Sequence, residues 1–260
     1  MAEVLILDSA ATAGSFVADR IVDALGRAPG FTLGIATGST PSPVYEALSA
    51  HAARGVDFSK MFAFALDEYV GLTARHPQSY HTVIEQAVTL PLGLVPERVH
   101  VPDGSLDNIE TAGERYEEAL IAHGGIDLQL LGIGTTGHIG FNEPGSSFGS
   151  LTRVKTLTER TRADNARFFA SPDDVPIHCV TQGLGTILRA RHLVLLAFGE
   201  GKAAAIAAAV EGPVTASLPG SAVQLHPHVT VVLDGAAASH LRFRDYYRWA
   251  QDNKPTWQGI

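Results

Sequence analysis

Residues 31–53 read FTLGIATGSTPSPVYEALSAHAA, and this stretch decides the fold class. It begins with a short apolar run at residues 31–36, typical of a buried strand, and continues through the small, hydroxyl-rich turn TGST at residues 37–40. After the turn, apolar side chains return at three- and four-residue spacing, and the prolines suit the first turn of a helix. The stretch therefore predicts a strand, a turn and a helix in direct succession.

The same alternation continues along the whole chain. Short runs rich in Val, Ile and Leu predict strands at residues 4–7, 31–36, 61–66, 126–133, 192–198 and 229–233. Amphipathic or alanine-rich segments predict helices at residues 11–25, 43–53, 108–123, 180–189, 202–210 and 236–249. This pattern indicates an α/β fold, with parallel strands covered by helices on both faces. Without a linker or a fixed repeat, we expect one domain over residues 1–260, with an irregular lid or regulatory segment near residues 144–176.

The composition excludes several classes of protein. With 45% hydrophobic and 18% charged residues, the chain has enough apolar material for a core and too little charge for a disordered protein. Its net charge of −8 disfavours nucleic-acid binding, although a few local cations can still hold a small anion. No apolar run approaches a membrane span or a signal peptide, and the single cysteine, Cys179, suits a reducing compartment. We therefore expect a cytoplasmic protein without a membrane partner.

Residues that follow the predicted strands are the candidates for chemistry, because open parallel sheets bind ligands beyond the carboxyl ends of their strands. Gly38, Ser39 and Thr40 follow the strand at residues 31–36, and their amides and hydroxyls suit a phosphate group; ordinary helix capping is the alternative. Lys202 opens the helix after the strand at residues 192–198, and Arg167 adds a second cation from the irregular segment. An ordinary surface charge is the alternative for each cation.

Two carboxylates, Asp67 and Glu68, directly follow the strand at residues 61–66. A carboxyl held at the end of a buried strand is a candidate general base with a pKa raised by partial burial. Aspartate is also a favoured turn residue, so the tripeptide DEY at residues 67–69 leaves both interpretations open.

The densest cluster is GTTGHIGFNEP at residues 134–144, which places His138 and Glu143 five residues apart in a glycine-rich loop. An imidazole and a carboxylate on such a loop suit proton transfer near neutral pH. A solvated His–Glu pair is the alternative. A zinc site is disfavoured because neither a second histidine at ligand spacing nor a nearby cysteine accompanies His138.

Together these motifs resemble those of the glucosamine-6-phosphate deaminase family, aldose-ketose isomerases that release ammonia. The resemblance covers nearly the whole chain and rests on TGSTP at residues 37–41, LDEYVGL at 66–72, GHIGFNEP at 137–144, RFF at 167–169 and AVEG at 209–212. The FNEP stretch distinguishes this family from the similarly folded 6-phosphogluconolactonases, which share the Gly-His loop. The resemblance implies a modified doubly wound, Rossmann-like fold with a mostly parallel sheet.

The resemblance also implies an activity: conversion of glucosamine 6-phosphate and water to fructose 6-phosphate and ammonium, in amino-sugar catabolism, without a cofactor or a metal. By that analogy His138 opens the sugar ring as a base on the anomeric hydroxyl, and Glu143 orients it. Asp67 then moves a proton from C2 to C1 through an enolamine. The turn at residues 38–40, Arg167 and Lys202 correspond to the site that holds the substrate phosphate.

The chain departs from the family at Thr136, where well-known members carry aspartate and others asparagine. Threonine lacks the charge that stabilises a protonated histidine, yet its hydroxyl can bond the ring, so we expect retained activity with slower ring opening. Thr136 is therefore grouped with the catalytic residues.

A regulatory site is a second expectation from the resemblance. Allosteric members are hexamers that bind N-acetylglucosamine 6-phosphate between subunits through a serine pair, an arginine and a lysine. Ser146, Ser147, Arg153 and Lys155 match those positions, while other branches of the family are monomeric and unregulated.

Two other functions stay open at this point. A related sugar-phosphate isomerase or a lactonase shares the fold, and fold alone does not fix function. A non-catalytic sugar-phosphate sensor is the other, but the first predicted strand begins at Val4 and leaves no room before it for a DNA-binding segment.

Overall fold

A seven-stranded parallel sheet forms the centre of the computed structural model, which describes residues 2–28, 30–255 and 258–259. The strands of the described residues, in chain order, are β1 (Glu3–Leu7), β2 (Thr32–Ile35), β3 (Phe62–Ala65), β4 (Asp67–Tyr69), β5 (Val99–His100), β6 (Leu128–Gly132), β7 (Arg153–Thr156), β8 (His178–Thr181), β9 (His192–Ala197) and β10 (Val229–Asp234). The central sheet has the order β1-β10-β9-β6-β2-β3-β5. A second, antiparallel sheet has the order β4-β8-β7.

Helices cover both faces of the central sheet. Those of the described residues are α1 (Ala10–Arg27), α2 (Ser42–Ala53), α3 (Tyr80–Ile84), α4 (Leu90–Leu92), α5 (Ile109–Ala122), α6 (Glu159–Asn165), α7 (Leu184–Ile187), α8 (Ala203–Glu211) and α9 (Arg244–Asp252). Helices α1 and α2 pack in the apolar cluster on one face, while α5, α8 and α9 pack in the cluster on the other. This two-sided burial explains the continuously apolar strands, and it confirms the predicted α/β fold with helices on both faces.

The order of the strands places a topological switch between β2 and β6. From β2 the chain moves outward through β3 to β5, and it then returns to β6 and moves outward the other way through β9 to β10. The loops that leave β2 and β6 therefore diverge and open a crevice at the carboxyl edge of the sheet.

The small sheet corrects the helix predicted at residues 180–189. Residues 178–181 form β8, which pairs antiparallel with both β4 and β7, and only the short α7 follows. Val180 and Thr181 are fully buried in this sheet, so their apolar spacing reflects a central strand and not a helical face.

The predicted helix at residues 236–249 begins later than expected, at Arg244 in α9. The carboxylate of Asp234 accepts the amide of Ala237 at 2.7 Å and the amide of Gly199 at 2.9 Å. These bonds hold residues 235–240 in consecutive turns after β10, and turn structure replaces the first half of the predicted helix.

The segment at residues 144–176, expected to be irregular, contains regular structure. Strand β7 joins the small sheet, and α6 follows with Thr158 as its N-cap, whose side chain accepts the amide of Thr161 at 3.1 Å. No helix among the described residues combines the length and the apolar run that a bilayer crossing requires.

Candidate active site

A cleft of about 860 Å³ opens at the carboxyl edge of the central sheet, above the switch between β2 and β6. The loops after β2, β3, β6 and β9 all contribute to its lining, together with α6 and the turn that follows it. Seven of the sequence-predicted site residues line this one cleft: Gly38, Ser39, Thr40, Asp67, His138, Arg167 and Lys202.

Asp67 lines the cleft at the point where the chain passes from β3 into β4. Its side chain is 6% exposed, and no donor within the described part of the chain holds a hydrogen bond to its carboxylate. Burial, reinforced by the negative charge of Glu68, raises the pKa of Asp67 to about 8. The carboxyl therefore populates both protonation states near neutral pH, as a group that accepts and returns a proton must.

Glu68, the second carboxylate of the pair, has a structural role. Its oxygens accept the amides of Tyr69 at 2.7 Å, Tyr80 at 2.9 Å and His81 at 2.9 Å, and the hydroxyl of Ser79 at 2.7 Å. The carboxylate thus satisfies the free amides at the start of α3 and fixes that helix against β4.

His138 reaches the cleft from the loop after β6. Its ring packs on Gly134, where an added Cβ would stand only 2.1 Å from the ring carbon Cε1, so this position requires glycine. The loop continues over Asp67, since a Cβ on Gly140 would lie 3.6 Å from Asp67 Oδ2. The glycine-rich loop therefore brings the His138 imidazole into the same cleft as the Asp67 carboxyl.

Thr136 and Glu143 lie behind His138 and are not among the residues that line the cleft. The Thr136 hydroxyl is 2.8 Å from His138 Nδ1 and donates to Glu143 Oε2 at 3.4 Å, while Nδ1 itself is 3.6 Å from Oε2. A hydroxyl that donates to Glu143 accepts from an Nδ1–H group, which leaves Nε2 as the basic nitrogen of the neutral ring. The two residues grouped as catalytic therefore act through His138 as positioning residues.

Glu143 is also bound from its other side, by residues that the sequence motifs did not indicate. The Thr161 hydroxyl donates to Oε1, and the Thr158 hydroxyl donates to the same oxygen at 3.1 Å. Although burial works against ionisation, hydrogen bonds from His138 and Thr161 and the charge of His138 bring the pKa of Glu143 to about 2. Glu143 is therefore ionised near neutral pH.

Backbone and side-chain donors also line the cleft. Gly38 adopts a φ of +94°, a conformation suited to glycine, so the turn of residues 37–40 bends into α2 with Ser39 and Thr40 facing the cleft. Lys202 donates to the carbonyl of Ile133 at 2.7 Å, and burial and the charge of Arg167 lower its pKa. Two mutually repelling cations beside a helix start form an arrangement that an anion stabilises.

Aromatic side chains form one wall of the cleft, beside α6. Tyr69, Tyr80, Phe141 and Phe169 contact one another in one cluster with centroid separations of 4.9 to 6.1 Å. Asn165 in α6 donates to the Tyr69 hydroxyl at 2.9 Å. This wall was not predicted from the sequence, because its members are separated by up to about one hundred residues.

The four residues of the expected regulatory site lie on β7 and the turn before it, outside the cleft lining. Ser146 is buried and donates to the Glu143 carbonyl at 2.7 Å, and Arg153 donates to Asn142 Oδ1 at 2.9 Å. Ser147 is exposed and Lys155 half-buried. Ser146 and Arg153 thus already form hydrogen bonds within the chain.

The chain is similar to known proteins over nearly its whole length. Residues 7–232 match the model of the family described as glucosamine-6-phosphate isomerases/6-phosphogluconolactonase. The glucosamine-6-phosphate deaminase of Streptomyces avermitilis is 58% identical over 260 residues, covering 99% of this chain and 100% of that protein. The chain belongs to the glucosamine-6-phosphate deaminase family. A further family member, the deaminase of Bifidobacterium longum, is 53% identical, with complete coverage of both proteins.

Two solved structures share the fold of this chain. A monomeric glucosamine-6-phosphate deaminase superposes with a TM-score of 0.89 at 39% identity, covering 92% of this chain and 99% of that one. The 6-phosphogluconolactonase from Trypanosoma cruzi superposes with a TM-score of 0.75 at 19% identity, covering 93% of this chain and 97% of that one. The second likeness is one of fold alone.

Proposed function

We propose that the chain is a glucosamine-6-phosphate deaminase, which converts glucosamine 6-phosphate and water to fructose 6-phosphate and ammonium. The observation that carries this function is the single cleft that joins a buried carboxyl, Asp67, to an imidazole, His138, with Arg167 and Lys202 on the same lining. An anionic sugar bound to the cations presents its reacting carbons to the carboxyl. The names and the high identities of the family members support the same substrate.

The phosphate end fixes the substrate. The turn of residues 38–40, Arg167 and Lys202 hold the phosphate, remote from the carbons that react. Binding energy gained there orients C1 and C2 over Asp67, and orientation of this kind contributes several kcal/mol to lowering a barrier.

Ring opening is the step assigned to His138. Nε2 takes the proton of the anomeric hydroxyl, the bond from C1 to the ring oxygen breaks, and the ring oxygen receives a proton. The chain from Nδ1 through the Thr136 hydroxyl to Glu143 stabilises the imidazolium that forms.

Asp67 performs the isomerisation. Its carboxylate removes the proton from C2 of the open aldose, giving the enolamine, and returns a proton to C1. The C2 carbon then becomes an imine, and addition of water to it expels ammonia and leaves the ketose. The pKa of about 8 keeps the protonated intermediate state of Asp67 accessible near neutral pH.

A coupled assay for ammonium and fructose 6-phosphate tests this function. Wild-type protein supplied with glucosamine 6-phosphate should release both products in equal amounts, and Asp67→Asn should release neither while still binding the substrate. Hydrolysis of 6-phosphogluconolactone without ammonium release from the amino sugar would contradict the proposal and favour the lactonase alternative.

The segment at residues 144–176 acts as the lid of this cleft, because α6 and Arg167 contribute to the lining, while Leu157 and Val175 pack in the aromatic cluster. We place the enzyme in the cytoplasm, where a chain with one buried, unpaired cysteine, Cys179, is stable in the reduced form.

We also favour a monomer without effector control, since Ser146 and Arg153 are bound internally and a monomeric deaminase shares the fold.

A further inference from the structure

The two oxygens of the Glu143 carboxylate contact different parts of the molecule. Oε2 faces the His138 ring and the Thr136 hydroxyl, whereas Oε1 accepts from Thr158 and Thr161 at the start of α6. One buried charge thus connects the imidazole of the cleft to the lid.

We propose that Thr161, supported by Thr158, is a positioning residue that docks the lid onto Glu143 and orients that carboxylate toward His138. The inference rests on the proposed function, which it deepens by adding residues that control the ring-opening base. Nothing in the sequence motifs at residues 137–144 indicates these two threonines, since they lie 15 and 18 residues beyond Glu143.

The local geometry makes Thr161 the stronger of the two contacts. Thr161 is 2% exposed, so its hydroxyl has no access to bulk water as an alternative partner. The Thr158 hydroxyl is 3.1 Å from Glu143 Oε1 and 3.1 Å from Thr161 Oγ1, and it also accepts the amide of Thr161. With a single proton, Thr158 donates to only one of the two oxygens at a time, whereas Thr161 donates to Glu143 alone.

The docking has a consequence for binding as well as for catalysis. Helix α6 is followed directly by the turn Ala166–Phe168, which carries Arg167 into the cleft. A lid held on Glu143 therefore sets the position of the phosphate ligand Arg167 and the orientation of His138 together.

The test compares Thr161→Val, which keeps the shape and removes the hydroxyl, with Thr161→Ser, which keeps the hydroxyl. Thr156→Val is the matched control, because Thr156 is exposed on β7 within the same segment. We expect Thr161→Val to lower kcat about tenfold, as loss of a hydrogen bond to a buried charge does, with Thr161→Ser and Thr156→Val within about threefold of wild type.

A double-variant comparison separates positioning from a general effect on folding. In a Glu143→Gln background, Thr161→Val should lower kcat less than about twofold, because the charge through which Thr161 acts is absent. An equal loss in both backgrounds, or no loss in either, would overturn the inference.

Limited trypsin digestion gives a readout that does not require turnover. Arg160 and Arg167 are exposed cleavage sites on the lid, and release of the lid should expose them further. We expect Thr161→Val and Glu143→Gln each to accelerate cleavage there several-fold, with no further increase when combined. Unchanged cleavage would overturn the docking, whereas a wild-type protein that releases no ammonium would overturn only the proposed function.

Discussion

The burial that suits Asp67 to its proposed catalytic role has a cost to stability. A carboxylate enclosed by the cleft floor beside Glu68 is poorly solvated, and this raises its pKa from 3.8 to about 8. Between these two values the native protein binds a proton that the unfolded chain has lost. The contribution of Asp67 to the free energy of unfolding therefore becomes less favourable as pH rises through this window.

Replacing Asp67 with asparagine should separate the two effects. We expect Asp67→Asn to abolish ammonium release and to raise the free energy of unfolding by about 1–3 kcal/mol at pH 8.5, with a smaller gain at pH 5. Denaturant unfolding at the two pH values measures the difference. A variant that is inactive but equally or less stable at pH 8.5 would show that burial of the charge carries no penalty.

Thr136 is the residue at which we expected this chain to depart from its family, and the structure shows what its hydroxyl contacts. It accepts from His138 Nδ1 and donates to Glu143, so the imidazole reaches the carboxylate through one intervening oxygen. Thr136→Val should lower kcat about tenfold through loss of this link, whereas Thr136→Asp should restore a direct charge partner and change the pH-rate profile. Identical profiles for wild type and both variants would argue against any role of the link.

Strand β4 and helix α3 illustrate how neighbouring elements set the chemistry of one group. Glu68 fixes the start of α3 through two amides and a hydroxyl, and it also accepts the amide of Tyr69 in β4. Burial raises the pKa of Asp67, and the charge of Glu68 raises it further. The other titratable groups that interact with Asp67 are the phenols of Tyr69, Tyr80 and Tyr116 and the thiol of Cys179.

Glu68→Gln should therefore shift the pH dependence of kcat/KM. Activity requires ionised Asp67 and rises with pH, so removal of the neighbouring charge should move the acid limb to lower pH by up to about 1 unit. The melting temperature should fall as well, because an amide cannot accept all four donors. Glu114→Gln, at an exposed position on α5, is the matched control. Ionisation of the substrate affects the pH profile of every variant equally, so it does not contribute to the difference between them.

The six strands predicted from apolar runs are all confirmed, because β1, β2, β3, β6, β9 and β10 belong to the seven-stranded sheet and carry a continuous apolar signal. The small sheet was missed. Strand β7 reads Arg-Val-Lys-Thr with alternating exposure, and β4 consists of Asp67, Glu68 and Tyr69, which are polar at the sequence level. Long-range pairing creates these strands, and local periodicity does not reveal it.

The cleft also combines residues that have a local sequence signal with residues that only long-range contacts bring there. Gly38, Asp67, His138 and Lys202 were predicted because each directly follows an apolar strand, and parallel topology brings such positions together. Thr161 and the aromatic wall were not predicted, because Thr161 reaches the site only when the segment at residues 144–176 folds onto the sheet, and the wall joins residues from four separate parts of the chain. Threonine and tyrosine at ordinary spacing give no local signal of that contact.

At the scale of the whole molecule, the question is whether subunits communicate. In the described part of the chain, Ser146 and Arg153 bond to the loop that holds Glu143 and His138, so they brace that loop from within. We expect hyperbolic saturation by glucosamine 6-phosphate, unmoved by N-acetylglucosamine 6-phosphate, and a monomer in analytical ultracentrifugation. Sigmoidal kinetics relieved by the effector, together with a hexamer, would establish the regulated form instead.

The cleft and a histidine cluster lie at opposite ends of the strands of the central sheet. The cleft occupies the carboxyl edge, whereas a histidine cluster lies at the amino edge, where the His192 ring at the start of β9 stacks on His228 at 3.7 Å. His192 Nε2 is 2.9 Å from Thr230 Oγ1, which donates to Glu3, and Glu3 pairs with Lys254. Burial and the charges of His228, His226 and Lys254 lower the pKa of His192 from 6.5 to about 4.

This cluster should make the protein lose stability in mild acid without a change at the active site. Between pH 6.5 and about 4 the unfolded chain binds a proton that native His192 does not, so the free energy of unfolding falls as pH falls through that window. His192→Gln removes this proton uptake, and its loss of stability from pH 7 to pH 4.5 should be smaller than that of wild type by about 1–2 kcal/mol. Its kcat at pH 7.5 should stay at the wild-type value, since β9 reaches the cleft only at its other end. His240→Gln, at an exposed position, is the control. An equal loss in the free energy of unfolding between pH 7 and pH 4.5 for wild type and His192→Gln would contradict the assignment.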